Sequence, residues 1–195
     1  MTRGVLPDVL PDILTGERLR LRRWRGDDLD AFAAMNADAA VMRHFRGVLT
    51  RDDSAAFMQR IETHFDTHGF GFWAVEDRES GRLVGMTGLA CVTFDAPFVH
   101  ASAAPVIEIG WRFMPDVWGR GYAPEAARVA LRAGFDIFGF SEIVAFTVPH
   151  NAPSRRVMEK LGMTHDAADD FEHPNLPQGH ALRPHVLYRL RAPAA

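Results

Sequence analysis

The hydrophobic pattern divides the chain into short alternating stretches and longer helical ones. Over residues 18–24, Leu19 and Leu21 alternate with arginines, the period-two signature of a half-exposed strand. Asp27 or Asp28 can cap a helix reaching Met35, with Leu29, Phe32 and Ala33 on one stripe. Thr50 opens a second helix whose Phe57, Met58, Ile61 and Phe65 keep helical spacing, and Gly69 ends it. The period then changes. Residues 70–76 and 82–94 read as strands of a hairpin joined by the polar turn 77–81. A proline-interrupted loop over 95–105 leads to a strand at 106–113. Pro124 stands at a favoured first helical position, opening a helix to Phe138 that Gly139 stops. A strand at 142–148, a helix at 154–161 ended by Gly162, and a closing strand at 185–190 complete the pattern. Hairpins followed by a β-α-β-α-β run predict an α/β mixed sheet with helices on its faces.

Length and composition narrow this picture. A chain of 195 residues with 47% hydrophobic positions fits one domain with a real core, here residues 14–195 behind a flexible arm at 1–13. That apolar fraction excludes intrinsic disorder. The uncharged run that starts at Leu83 stops at Asp95, too short for a membrane span, and the first residues lack a secretory pattern. The single cysteine, Cys91, excludes an internal disulfide framework and suits the cytoplasm. Lys+Arg number 22 against 25 Asp+Glu, a net charge of −3 that argues against a nucleic-acid partner. It also argues, at first sight, against any polyanionic ligand.

The segment 107–125, I-E-I-G-W-R-F-M-P-D-V-W-G-R-G-Y-A-P-E, qualifies that conclusion. It reads as a strand, a turn containing Gly119 and Gly121, and a helix start. Unpaired N–H groups and the positive end of the dipole meet at a helix start, and glycines let those amides approach phosphate oxygens. A tight turn with no ligand is the other reading, and local pattern leaves both open. A P-loop is excluded because no Lys-Ser/Thr follows Gly121, and a Rossmann fingerprint fits poorly after an antiparallel start.

The run W-G-R-G-Y-A-P-E-A at 118–126 resembles the acetyl-CoA-binding motif of the GNAT superfamily of N-acetyltransferases, Q/R-x-x-G-x-G/A. Gly121 and Ala123 match its small positions, and Trp118 replaces the usual Gln or Arg, as in the RimJ/RimL-like branch. That branch is echoed at 15–24 (T-G-E-R-L-R-L-R-R-W), 35–43 (M-N-A-D-A-A-V-M-R), 151–163 (N-A-P-S-R-R-V-M-E-K-L-G-M) and 169–180 (D-D-F-E-H-P-N-L-P-Q-G-H). The resemblance implies a GNAT-like fold, with a mostly antiparallel sheet and helices on both faces. It further implies acetyl transfer from acetyl-CoA to a primary amine, by direct attack in a ternary complex and without a metal. The acceptor is a protein N-terminus or a small amine, and the branch suggests a homodimer. A non-catalytic acyl-CoA sensor would keep the same cradle.

Carried residue by residue, the resemblance runs the pantetheine arm along the backbone of Trp111, Arg112 and Phe113. The pyrophosphate then lies over Trp118, Gly119, Arg120, Gly121, Tyr122 and Ala123. Asn151 is expected to bond the pantetheine, and Ser154 to donate to the CoA sulfur or to cap the helix after it. Glu108, in an otherwise apolar strand, is the candidate base or ammonium anchor. It shares a strand face with Arg112, so a structural ion pair is the other reading. Neither Tyr122 nor Tyr188 lies where the superfamily's usual late tyrosine is expected.

Other candidates are weaker. His64 and His68 have helical metal-ligand spacing but no evident third ligand. The tail with His173, His180 and His185 reads as a loop over the active-site mouth. Trp73, Phe94, Phe98 and His100 are possible acceptor contacts, and Cys91 reads as a buried small hydrophobe.

Overall fold

The computed structural model describes residues 13–193; most of the arm at 1–13 therefore lies outside the described residues. Ile13 itself is already paired, because β1 (Ile13–Thr15) runs antiparallel to β2 (Leu19–Arg22). The hairpin β3 (Phe72–Asp77) and β4 (Leu83–Cys91) continues the sheet, followed by β5 (Ile107–Phe113) and β6 (Glu142–Thr147). β7 (Thr164–His165), β8 (Phe171–Glu172) and β9 (Pro184–Arg191) close it, with β9 pairing β6, β7 and β8. Every pairing is antiparallel except β5 with β6.

That one parallel pair is joined only at Glu108–Val144. Beyond it the strands part, so the β5 edge from Ile109 onward faces a cleft instead of a neighbour.

Helices cover both faces. α1 (Leu29–Ala37), the short α2 (Ala39–Met42) and α3 (Arg51–His68) precede β3. α3 is capped as expected, with the Thr50 hydroxyl accepting from the Asp53 amide and Gly69 in the left-handed region at φ 78°. α1 lies over the face of β5 that carries Arg112, where Asn36 accepts a hydrogen bond from that arginine. α5 (Tyr122–Arg132) lies over the opposite face, and its continuation packs Gly134 against Leu89 and Ile143. A turn of π-helix, Ala133–Ile137, carries α5 on to the predicted end near Phe138. α4 (Pro97–His100) is a single helical turn inside the predicted loop. α6 (Ala152–Lys160) follows β6.

Two helix starts correct the sequence reading. α5 begins at Tyr122, not Pro124, because Gly121 at φ 78° supplies the cap and proline is tolerated within a first turn whose amides are unpaired anyway. α6 begins at Ala152, so Asn151, not Ser154, is its N-cap: the Asn151 Oδ1 accepts from the Ser154 amide at 3.3 Å.

Gly88 marks a close approach of β4 to the start of β3. A Cβ there would sit 2.0 Å from the Gly71 carbonyl oxygen, which accepts the Leu89 amide at 3.1 Å. Backbone cannot yield as a flexible side chain does. Gly88→Ala is expected to cost about 3 kcal/mol, read as a lowered denaturant midpoint with an unchanged slope.

Candidate active site

The splay between β5 and β6 opens into a cavity of about 920 Å³ that reaches from the glycine turn to the C-terminal tail loop. Its floor is β5, with Glu108, Gly110 and Arg112 on one face, and Trp111 and Phe113 turned to the other. One wall is the glycine turn and the start of α5, and another is the start of α6 with Asn151 and Ser154. The third wall, from α2, the segment after it and α3, holds His44 and Phe45, which sequence patterning did not single out, and Phe57, which it read only as an apolar helix position.

The turn is set by backbone geometry. Gly119 and Gly121 have φ of 75° and 78°, a region that side chains other than glycine rarely adopt. Arg18 braces it from outside: its backbone amide, Nε and Nη2 meet the Glu125 carboxylate, each at 2.7 Å, and its Nη1 donates to the Arg120 carbonyl at 3.0 Å. Trp118 is pinned by its indole N–H on the Phe113 carbonyl at 2.8 Å, and Tyr122 by its hydroxyl on Asp77 at 2.7 Å. The first amides of α5 open on the cavity beside this turn. Every residue expected to serve catalysis or the cofactor lines the cavity except Arg120, whose side chain is exposed.

The expected alternative for Glu108, an ion pair with Arg112, does not form. Among the described residues Glu108 has no hydrogen-bond or ionic partner, and burial alone pushes its carboxyl up from 4.5 to about 7. Arg112 is 9% exposed and is anchored instead through Nη1 on Asn36 Oδ1, with Phe45 stacked 4.3 Å from its guanidinium. The ion pair fails because same-face residues four apart on a strand stand about 13 Å apart, and each side chain rises roughly perpendicular to the sheet.

Asn151 caps α6 and donates from Nδ2 to the Thr147 hydroxyl at 2.9 Å. The Ser154 hydroxyl, freed from the capping role, has no partner among the described residues and faces the cavity. Tyr188 is occupied by Arg155 at 3.2 Å, away from the cavity wall.

The tail loop over the mouth is partly as expected: His173 and His185 line the cavity and His180 does not. Burial lowers the pKa of both lining histidines, so they are neutral near pH 7. Trp73, Phe94, Phe98 and His100 do not line it. Trp73 packs on Phe65 in the main core, and Phe98 belongs to a second core with Phe171 and Leu187. Phe72, one position earlier, reaches the cavity where Gly110 leaves room for its ring.

His64 and His68 do acquire a third neighbour that sequence could not show. Ligand atoms of His64, His68 and Cys91 lie within 4.8 Å of one another. Both ring nitrogens of His64 are engaged, Nδ1 on the Phe70 carbonyl at 2.7 Å and Nε2 by the Cys91 amide at 3.2 Å. Cys91 is half-buried, not buried as expected, and that burial still raises its thiol pKa. No helix among the described residues is long and apolar enough to cross a membrane.

Comparison with known proteins agrees with this geometry. The family described as the acetyltransferase (GNAT) domain matches residues 18–164. The uncharacterized N-acetyltransferase YnaD of Bacillus subtilis is 30% identical over 151 residues, covering 77% of this chain and 81% of that protein. An acetyltransferase of the GNAT family from Bacillus anthracis superposes with a TM-score of 0.73 at 28% identity, covering 92% of this chain and 98% of that one. RimJ of Mycobacterium smegmatis, solved in complex with CoA-disulfide, shares the fold with a TM-score of 0.70 at 20% identity, over 92% of this chain and 84% of that one. The chain belongs to the GNAT acetyltransferase family and is an acetyl-CoA-dependent acetyltransferase.

Proposed function

We propose that the protein is an N-acetyltransferase that takes a primary amine as acceptor and uses Glu108 to deprotonate it. The observation that carries this is the isolated Glu108 carboxyl, raised to about 7, on the floor of the cavity beside the splayed β5 edge. A base poised near neutrality accepts a proton from an ammonium and still ionises at working pH.

The residues present fit acetyl-CoA. The open β5 edge at Trp111–Phe113 offers backbone donors and acceptors to the pantetheine amides. The amides of Gly119 through Ala123 and the α5 dipole suit the pyrophosphate, and Arg156 and Lys160 on the cavity wall add positive charge. When bound, acetyl-CoA supplies the electrophilic acetyl carbonyl. Glu108 removes one proton from the acceptor ammonium, directly or through water, the freed nitrogen forms the new N–C bond as the C–S bond breaks, and the second proton leaving that nitrogen passes to the CoA sulfur. The Ser154 hydroxyl then donates a hydrogen bond to the departing thiolate. The same reading retains the finer expectations of the RimJ/RimL-like branch: a cytoplasmic, dimeric enzyme acting on a protein N-terminus or a small amine.

The test is thiol release from acetyl-CoA with a panel of amines, beside melting curves with acetyl-CoA, ATP and NAD. Turnover lost in Glu108→Gln, with only acetyl-CoA raising the melting temperature, supports the reading. Tight acetyl-CoA binding with no turnover of any amine overturns it in favour of a sensor.

Ser154 and Asn151 separate chemistry from stability. Ser154→Ala is expected to lower kcat about tenfold with the melting temperature unchanged, because the hydroxyl caps nothing. Asn151→Ala is expected to cost about 1 kcal/mol through the lost cap, and to raise KM for acetyl-CoA.

A further inference from the structure

Buried polar side chains nearly always find partners, so the exceptions mark where something is recognised. Among the described residues only two buried side-chain atoms lack one, Arg112 Nε and His44 Nδ1, and both residues line the active-site cavity. Arg112 is more than nine-tenths buried and has no carboxylate within ion-pair distance among the described residues. Its Nη1 is held by Asn36, and Phe45 covers one face of the guanidinium. What remains is the Nε–Nη2 edge, the pair of parallel N–H donors that matches the two oxygens of a carboxylate.

Around it the charge is one-sided. Arg43 and Arg46 lie on the same wall with no hydrogen bond or ion pair among the described residues. Arg46 stands near enough to His173 for its charge to disfavour protonation there. On the same wall His44 stands beside His150, just before α6, with ring centroids 5.2 Å apart.

We infer that the acceptor is a primary amine that also carries a carboxylate, with the amine at Glu108 and the carboxylate on the Nε–Nη2 edge of Arg112. This rests on the acetyltransferase reading above and narrows its substrate class. Arg43 and Arg46 at the mouth draw the anion in, and the His44 nitrogen completes its hydrogen bonding. The strand rise of about 3.3 Å per residue keeps Glu108 and Arg112 about 13 Å apart at Cα. The amine and carboxylate are therefore separated by several bonds. That spacing is met by an ω-amino acid, by an acidic side chain of a free amino acid, or by an acidic residue next to a peptide N-terminus.

The experiment measures kcat/KM for matched pairs differing only at the carboxylate. One arm sets 4-aminobutyrate and glutamate against 4-aminobutyramide and glutamine; the other sets the peptide Ala-Asp-Ala-amide against Ala-Asn-Ala-amide. In at least one pair the carboxylate member is expected to exceed its amide by tenfold or more, through KM. The arm that shows it tells a free amino acid from a peptide terminus. Arg112→Met is expected to remove that preference while acetyl-CoA still binds. If that variant folds poorly, Asn36→Asp keeps the arginine but neutralises it with a carboxylate of its own, and the preference is lost in the same way.

A second readout does not need turnover. With CoA present, 4-acetamidobutyrate is expected to raise the melting temperature of the wild type and not of Arg112→Met or Asn36→Asp. Pairs within twofold of each other throughout, or variants that slow both members alike, overturn the inference even where amines are acetylated. Carboxylate-dependent melting shifts without turnover of any amine leave the anion site standing and overturn the catalytic reading instead.

Discussion

In Glu108→Gln, kcat/KM for an amine acceptor falls by about two to three orders of magnitude while the acetyl-CoA dissociation constant changes by less than about threefold. The substitution keeps the shape and removes only the proton acceptor. General-base contributions are of this size, and among the described residues no other carboxylate lines the cavity to take over. The pH dependence gives a sharper signature. With the Glu108 carboxyl raised from 4.5 to about 7 by burial, the wild type is expected to lose activity as pH falls through 7 and the base protonates. The variant's residual activity lacks that acid limb. Stability moves the other way. A carboxyl whose folded pKa is raised favours the fold fully below its ordinary value, and that advantage is lost as pH rises through 7. Glu108→Gln is therefore expected to match the wild type in melting temperature near pH 4 and to exceed it above pH 7. A variant that melts higher at pH 8 and turns over hundreds of times more slowly separates a catalytic carboxyl from a structural one.

The parts of the fold that one segment determines were legible in the sequence. Thr50 and Gly69 bound α3 because a cap and a left-handed stop are local chemistry, and the glycine turn before α5 was equally local. The start of α6 was misread by the same kind of signal. Asn151, two residues ahead of Pro153, is as good a cap as Ser154, and a proline in the first turn favours the earlier start. The strand hairpin carried less phase information. β3 is buried on both faces, so alternation could not tell Trp73, which packs into the core, from Phe72, which reaches the cavity.

The contacts that hold Arg112 were not legible in the sequence. Asn36 meets Arg112 across 76 residues of sequence, and neither position announces the other. The net charge of −3 likewise spoke against a polyanionic ligand, since a residue count cannot see backbone amides at a helix start or unpaired arginines gathered on one wall.

Arg22 is where sequence pattern and structure part most sharply, and it carries the largest expected loss of stability. Alternation over 18–24 placed the arginines on an exposed face, which holds for Arg18 and Arg20. Arg22 is 4% exposed. Its Nη1 and Nη2 grip Asp28 at 2.7 and 2.8 Å, and its Nε donates to Glu76 at 2.8 Å, with both carboxylates as buried as the arginine. These partners raise its pKa further, so the charge is permanent. Arg22→Met keeps the length and the packing of the stem but leaves buried Asp28 with only the Arg25 amide and removes the shortest of the three arginine bonds to Glu76, in a place water does not reach. Removing one member of such a set costs about 3–5 kcal/mol, and at this chain length each kcal/mol lowers the melting temperature by about 2–4 °C. A drop of about 10 °C or more is the expected result. The contrast is Arg51, whose pair with Asp30 is exposed on both sides, so Arg51→Ala is expected to cost less than about 1 kcal/mol. Replacing Arg22, Asp28 and Glu76 together by Met, Leu and Leu is expected to recover most of the loss, because an apolar cluster of similar volume leaves no buried charge unpaired, and Arg20 and Arg25, which also meet Glu76, reach solvent. If the triple variant is as unstable as Arg22→Met alone, the loss comes from the shape of β2 and the turn before α1, not from the stranded charges.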